Sequence, residues 1–472
     1  MGKMMTMERI KAFGAKRAIE YVDKDYKKNA PKLLDWLIEH DIGGDSLAPQ
    51  AKVAKQHMQD PESNWNKLAE KVWTEVDAGV RKKIFENFII HASLTGSKKQ
   101  FETMEKEKCN VPWAILLDPT SACNLHCKGC WAAEYGDKLN LTFDELSSIV
   151  EQGKAMGTYF YIFTGGEPLV RKDDVIRICE KHNDCAFLSF TNATLIDEAF
   201  TEEMLRVKNF IPAISIEGFK KETDSRRGEG TFDSIIKAMD ILKKKKLPFG
   251  VSCTYTSENT QTIGSSEFFD FLIEKGALFA WLFTYMPVGK GAAKELIVRP
   301  EQRKYMYEQI REFRNTKAIW TMDFWNDGEF VGGCIAGGRS YLHINANGDI
   351  EPCAFIHYSD SNIREHTLLE AYKRPLFMEY FNNQPFSDNM LRPCPLLDNE
   401  GALAQMVKRS KAHSTDVNDP EDVDDLTAKC KNAAAAWKPV ADEIWALKPH
   451  HEYSGPRRNT RFYEDKYFEA EK

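Results

Sequence analysis

Apolar positions in the first 110 residues recur at helical spacing. Ala18, Ile19, Tyr21 and Val22 fall in one segment, Leu33, Leu34, Trp36, Leu37 and Ile38 in the next, and Phe85, Phe88, Ile89 and Ile90 in a third. These stripes predict a helical N-terminal extension. It serves either as a cap packed on the following domain or as a surface for a hydrophobic substrate or membrane. From Trp113 the pattern changes to short apolar runs alternating with amphipathic stretches. Strands are expected at Trp113–Leu117, Tyr159–Phe163, Ala186–Phe190, Ile211–Ile216, Phe249–Tyr255 and Phe279–Phe283. Helices lie between them, one opened by the capping-box pattern of Thr142 and Glu145 and others near Asp173, Asp197, Phe232 and Ser266. Six successive βα units imply a parallel sheet covered by helices, too few for a closed eight-stranded barrel. The expected fold class is α/β, a partial (β/α)6 barrel with its site at the strands' C-terminal ends.

After Arg299 the rhythm changes again. A helix leads to an apolar run at Ile319–Phe324, and Ser340–Ile344 followed by Asn347-Gly348 reads as a β-hairpin. Helices are expected near Leu368–Tyr380, Glu400–Arg409 and Pro420–Leu447. The organisation is therefore 1–110 helical extension, 111–300 partial barrel, 301–448 C-terminal domain and 449–472 polar tail.

Composition narrows the class. A net charge of −7 gives no support for a nucleic-acid groove, and Lys243–Lys246 reads as a solvated helix end. No apolar run approaches the roughly 20 residues of a membrane span, and a signal-peptide core is missing from the N-terminus. A cytoplasmic protein is expected. Met1–Thr6 fits the loose myristoylation pattern without other support. Eleven cysteines in such a chain are read as metal ligands or thiols instead of disulfides.

Three of them, Cys123, Cys127 and Cys130, form C-x3-C-x2-C in a loop directly after the first strand. Thiolates so spaced can each bind one iron of a cubane cluster, leaving the fourth iron for a small molecule. A zinc site is the alternative, with His126 as the only nearby fourth ligand and no second cysteine pair beside it.

With this motif, residues 110–300 resemble the radical S-adenosylmethionine (SAM) superfamily. The loop Gly165-Gly166-Glu167-Pro168 after the second strand matches the family element that holds the methionyl amino group. Its glycines suit close backbone approach, and Glu167 offers an anion. Asn192 after strand three, Ser215 and Glu217 at strand four, and Arg227 (with Arg226 beside it) match positions that hold the ribose and carboxylate of SAM. An arginine's planar fork suits a carboxylate. Where many relatives carry an aromatic before the last cysteine, this chain has Gly129. Trp131 and Tyr285 are the two candidates to shield the adenine. The resemblance implies a catalytic [4Fe-4S] cluster, SAM as cofactor, an electron donor such as ferredoxin or flavodoxin, and attack on an inert C–H bond.

Cys334-x13-Gly348-x4-Cys353 resembles the opening of the SPASM extension, and Cys394 lies in a proline-flanked turn. This implies a shortened SPASM-like domain with one auxiliary [4Fe-4S] cluster, which Cys430 either completes or leaves with one iron open. Cys109, Cys179, Cys185 and Cys253 fit no pattern. Asp323, Asp327 and Glu329 lie between the two regions; Asp327 is the candidate proton acceptor, with loop capping as the alternative.

Two substrate classes are implied. SPASM-type relatives modify peptides, but the all-helical N-terminus argues against a leader-peptide module. The architecture is also similar to anaerobic radical SAM enzymes proposed to couple lipid acyl chains into membrane-spanning lipids, which would bring peripheral membrane contact. A non-catalytic iron–sulfur scaffold is the reading of another class.

Overall fold

The computed structural model describes residues 7–39 and 48–447. The Met1–Thr6 pattern and the polar tail lie outside the described residues.

Helices occupy the described part of the N-terminal extension, from Met7–Lys24 through Ser97–Glu107. The segment Glu86–Gly96, a helix of wider turn, lies against the N-terminal ends of the barrel strands. Asn87 donates through Nδ2 to the carbonyls of Asn183 and Cys185 at 2.9 and 2.6 Å. Phe88 meets Trp113 and Phe160 edge-on, each at 5.2 Å between centroids. This segment thus packs on the barrel.

The expected strands form at β1 (Ala114–Leu117), β2 (Phe160–Phe163), β3 (Ala186–Thr191), β4 (Phe210–Ser215), β5 (Gly250–Tyr255) and β6 (Phe279–Thr284). Each pairs in parallel with the next. The helices between them cover the outer face. Thr142 and Glu145 close the expected capping box, with Glu145 N donating to Thr142 Oγ1 at 3.2 Å and Thr142 N to Glu145 Oε2 at 2.7 Å.

Two further strands extend this sheet. Trp320–Asp323 (β7) adds in parallel to β6, and Tyr341–Ile344 (β8) adds in parallel to β1 on the other side. Ile350–Glu351 (β9) then folds back antiparallel on β8 through the expected Asn347-Gly348 turn, with Gly348 at φ +85°. The segment after 300 therefore shares the barrel's sheet, whose order is β7-β6-β5-β4-β3-β2-β1-β8-β9. The sheet's edge strands, β7 and β9, do not pair. Aromatic side chains span the gap instead, with Phe324 meeting Tyr341 at 5.8 Å and Phe355 at 6.4 Å.

Alternation along the strands divides the apolar residues into two layers. Ile115, Leu117, Tyr161 and Phe163 pack outward under the helices. Ala114, Leu116, Phe160 and Ile162 face the barrel interior. The parallel register aligns Leu116, Ile162 and Leu188 in one interior layer, and Ala114, Phe160 and Ala186 in the layer below. Among the described residues, no helix is long and apolar enough to cross a membrane.

Candidate active site

The C-terminal ends of the strands carry the cysteine loop, and neighbouring loops pin it. Gly166 N donates to Thr120 O at 3.0 Å and Glu167 N to Ala122 O at 2.8 Å. A Cβ on Gly166 would come within 2.2 Å of Ala122 O, and one on Gly165, at φ +108°, within 2.5 Å of Thr120 O. The close approach that these glycines permit is to the backbone of the cysteine loop. On the other side Asn192 Nδ2 donates to Asn124 Oδ1, and Asn124 Nδ2 to Thr194 Oγ1, both at 2.8 Å.

Two buried carboxylates organise the polar rim. Glu167 accepts from Leu169 N at 3.0 Å, Thr191 Oγ1 at 2.7 Å and Asn192 N at 2.7 Å. Burial pushes its acid up from the ordinary range, against the pull of those donors. Glu217, fully buried, accepts from Arg226 Nη1 at 2.7 Å and Arg227 Nε at 3.0 Å through Oε1, and from Thr254 N through Oε2 at 3.1 Å. Arg227 Nη1 then lies 3.9 Å from Cys127 Sγ. Lys128 N donates to Arg226 O at 2.8 Å, tying the cysteine loop to the same arginine pair.

Cys123, Cys127 and Cys130 line a cavity of ≈600 Å³ that runs down the barrel interior. Gly165, Gly166, Glu167, Asn192, Ser215, Arg227, Trp131 and Tyr285 line it too. Glu217 does not; it acts through the arginines. Pro168 is also absent from the lining and starts the short helical turn Pro168–Arg171. Tyr285 lies over Gly129: a Cβ on that glycine, at φ +65°, would come within 2.7 Å of the phenol oxygen. The ring occupies the space that an aromatic at 129 would take. Trp131 lies on the other side, edge-on to His343 at 5.5 Å and Phe355 at 5.9 Å.

Beneath the cysteine loop is a buried charge network that sequence reasoning missed. His343 Nδ1 contacts Glu351 Oε2 at 2.6 Å, and Nε2 lies 2.9 Å from Asp118 Oδ1. Asp118 also accepts from Thr164 Oγ1 at 2.7 Å, and Tyr135 donates to Glu351 at 2.8 Å. Burial alone would lower the imidazole, but Asp118 and Glu351 overcome it and raise His343 to about 10. His343 is therefore a cation between two carboxylates. The signal was the parallel pairing of β8 with β1, which brings residues 118 and 343 together from distant sequence.

Cys334, Cys353 and Cys394 line a second, smaller cavity of ≈40 Å³. Met286, Phe324, Ile335, Tyr341 and Phe355 form the wall it shares with the large one. The Cys394 turn is held by Asp398, whose Oδ2 accepts from Cys394 N at 3.0 Å and whose Oδ1 accepts from Arg303 Nη1 at 2.6 Å.

Two expectations need correction. Cys430 is not part of the second cavity; it is buried on the helix Val423–Ala446, whose inner face also carries Leu426, Ala434 and Trp437. Asp327 does not reach the large cavity. Both its oxygens accept from Arg314 Nη2, at 3.0 and 2.8 Å, and Oδ2 accepts from Asp323 N at 2.8 Å, so it caps its own loop. Asp323 is buried against Asn326 and Tyr255 and raised to about 6 by burial, and Glu329 pairs with Arg311.

The thiol donors fit an iron–sulfur group. They are soft ligands, and a guanidinium stands beside Cys127 to offset thiolate charge. Among the described residues, no three His, Cys, Asp or Glu side chains converge on one metal-ion position.

The geometry defines an open parallel barrel with a cysteine-bearing loop at the mouth of an interior cavity. Residues 117–265 match the model of the radical SAM superfamily, so this stretch is a radical SAM domain, the domain of enzymes that use SAM and a [4Fe-4S] cluster. The AdoMet-dependent heme synthase of Methanosarcina barkeri is 25% identical over 293 residues, covering 56% of this chain and 83% of the relative. The cysteine-type anaerobic sulfatase-maturating enzyme of Clostridium perfringens is 26% identical over 241 residues, covering 46% and 62%. SuiB of Streptococcus suis, solved with bound S-adenosylmethionine, shares the fold. Its TM-score is 0.52 and its identity 21%, covering 65% of this chain and 77% of that one.

Proposed function

We propose that this enzyme abstracts hydrogen from an unactivated C–H bond of an acyl chain lying in the barrel cavity, in service of carbon–carbon coupling between lipid chains. The observation that carries this reading is the character of the cavity. Its upper end, beside the three thiols, carries Asn192, Ser215, Thr254 and the two arginines. Its lower end is bounded by Phe88, Trp113, Phe160, Leu188, Trp281 and Met322.

An alkyl chain gains about 0.8 kcal/mol for each methylene buried there. A peptide would lose about 1–3 kcal/mol for each backbone amide buried without a partner. A carboxylated macrocycle would need cations of its own along the cavity, and the only two in the lining, Arg226 and Arg227, stand at the upper end beside the cysteine loop, the end that SAM would occupy. The half-exposed Trp320 lines the cavity from β7, a suitable aromatic for contact with a lipid surface.

Cys123, Cys127 and Cys130 would hold the catalytic cluster, and Cys334, Cys353 and Cys394 an auxiliary one. When bound, the reduced cluster and SAM supply the carbon radical that takes a hydrogen atom from substrate. Arg227 would receive the carboxylate of SAM while Glu217 fixes its fork. Asn192 and Ser215, which line the same end of the cavity, would face the ribose. The carboxylate of Glu167 is engaged by Leu169, Thr191 and Asn192, so it fixes the loop and leaves the backbone carbonyls of Gly165 and Gly166 for the amino group. Tyr285 or Trp131 would cover the adenine, and the aromatic wall would exclude water from the site.

The test is isotopic. The anaerobically reconstituted enzyme, given SAM, a reductant and vesicles of lipid with perdeuterated acyl chains, should return deuterium in 5′-deoxyadenosine. Unlabelled 5′-deoxyadenosine from such vesicles, with label acquired from a deuterated peptide or porphyrin extract instead, would sink the acyl-chain reading.

A further inference from the structure

The second cavity holds a polar group that three thiols alone do not explain. Tyr380 lies on the helix Pro375–Asn383, fully buried, and its ring lines the chamber together with Cys334, Cys353 and Cys394. Its hydroxyl is buried without a hydrogen-bond partner. A buried phenol left in that state costs about 1–3 kcal/mol, a penalty that an acceptor in the chamber would remove. The side chain is also held in place. The ring meets Phe386 edge-on at 5.5 Å, and a Cβ on Gly337 would come within 2.3 Å of Tyr380 Cβ, so residue 337 must be glycine for the tyrosine to sit there. A second phenol approaches from the shared wall, where the Tyr341 hydroxyl is 2.7 Å from Cys353 Sγ.

We infer that Tyr380 is a hydrogen-bond donor to the sulfurs of the auxiliary cluster, paired with Tyr341, and that the two phenols set its reduction potential. The inference rests on the reading of this chamber as an iron–sulfur site. Three thiolates make the chamber anionic, and such a field keeps a phenol neutral and its proton available for donation. Hydrogen bonds to cluster sulfurs stabilise the reduced, more negative state and so raise the potential. Tyr341 lines both cavities, so its donated bond lies on the wall between the two sites.

The experiment is a redox titration of the reconstituted full chain followed by electron paramagnetic resonance, with iron and sulfide determined on the same samples. Tyr380→Phe removes one oxygen and keeps the ring; Tyr341→Phe does the same at the wall. The wild type should carry about eight irons per chain. Each variant should retain them, with the auxiliary signal shifted to lower potential, the catalytic signal unmoved and the double variant shifted furthest. An unshifted auxiliary potential in Tyr380→Phe, at full iron content, overturns the inference. Loss of iron or a three-iron signal in that variant also overturns it, because the phenol would then be a ligand. About four irons in the wild type would instead remove the auxiliary cluster itself.

Discussion

The two cysteine sites of this chain are built in opposite ways. Cys123, Cys127 and Cys130 stand on one short loop at the mouth of a ≈600 Å³ cavity, amid carboxylates, amides and arginines fixed by one another. Cys334, Cys353 and Cys394 come from three separate segments and face a ≈40 Å³ chamber walled by aromatic rings. The first arrangement leaves room for a cofactor and a substrate to meet. The second leaves room for little beyond a cluster. The difference matches the proposed division, in which the open site does the chemistry and the closed one serves electron flow or stability, and five residues form the wall common to both cavities.

The comparison is broken most forcefully by removing each set of thiols. The Cys334/Cys353/Cys394→Ala variant should lose about four of about eight irons yet still form 5′-deoxyadenosine. The Cys123/Cys127/Cys130→Ala variant should lose a similar amount of iron and all SAM cleavage. Iron analysis and chromatography of the nucleoside products separate the two.

Each site also depends on a buried ion pair. Arg303 and Asp398 are 3% and 0% exposed, and Asp398 holds Cys394 N. Asp398→Ala should destabilise the fold by about 3–5 kcal/mol, since it strands a buried guanidinium, and should deplete iron from the second site first. Chemical denaturation with iron analysis checks both.

At the first site His343→Gln should cost about 3–5 kcal/mol by leaving Asp118 and Glu351 without their cation. The folded imidazole titrates near 10, above its ordinary 6.5. The stabilisation is therefore full below about 6.5 and lost as pH rises through about 10. A pH series of denaturation midpoints should show this loss in the wild type and not in the variant.

Smaller effects sharpen the contrast. Ala186→Trp, which fills the lower cavity, should slow turnover of a long-chain substrate roughly tenfold, equivalent to about 1.4 kcal/mol, while SAM cleavage without substrate persists. Cys430→Ser should leave iron content unchanged and lower stability by only about 1–2 kcal/mol, the cost of a hydroxyl among apolar neighbours.

The open site was legible because its chemistry is local: the three cysteines span eight residues, and strand alternation with helices places them at a barrel mouth. The cavity itself was hidden. All four residues of β1 are buried, so both faces read as apolar and the sequence pattern does not distinguish interior from helix-facing positions. β7 and β8 were expected as an apolar run and half of a hairpin, and only the tertiary pairing shows that they enlarge the barrel. The same pairing creates the Asp118–His343 contact. At the closed site, spacing singled out Cys334 and Cys353, and the proline-flanked turn Cys394; the structure brings the three to one cavity. Spacing carried no information on which face of Val423–Ala446 is buried, hence the misplaced Cys430, or on the side-chain partner of Asp327, which is Arg314.

The central claim is that the loop bearing Cys123, Cys127 and Cys130 holds an iron–sulfur cluster that cleaves SAM. Anaerobic reconstitution, followed by addition of SAM and dithionite, tests it by measuring 5′-deoxyadenosine alongside iron, sulfide and zinc. The structure predicts iron with matching sulfide and nucleoside formation that vanishes when the three cysteines become alanine. Zinc without sulfide, or nucleoside formation that survives the substitutions, would contradict it.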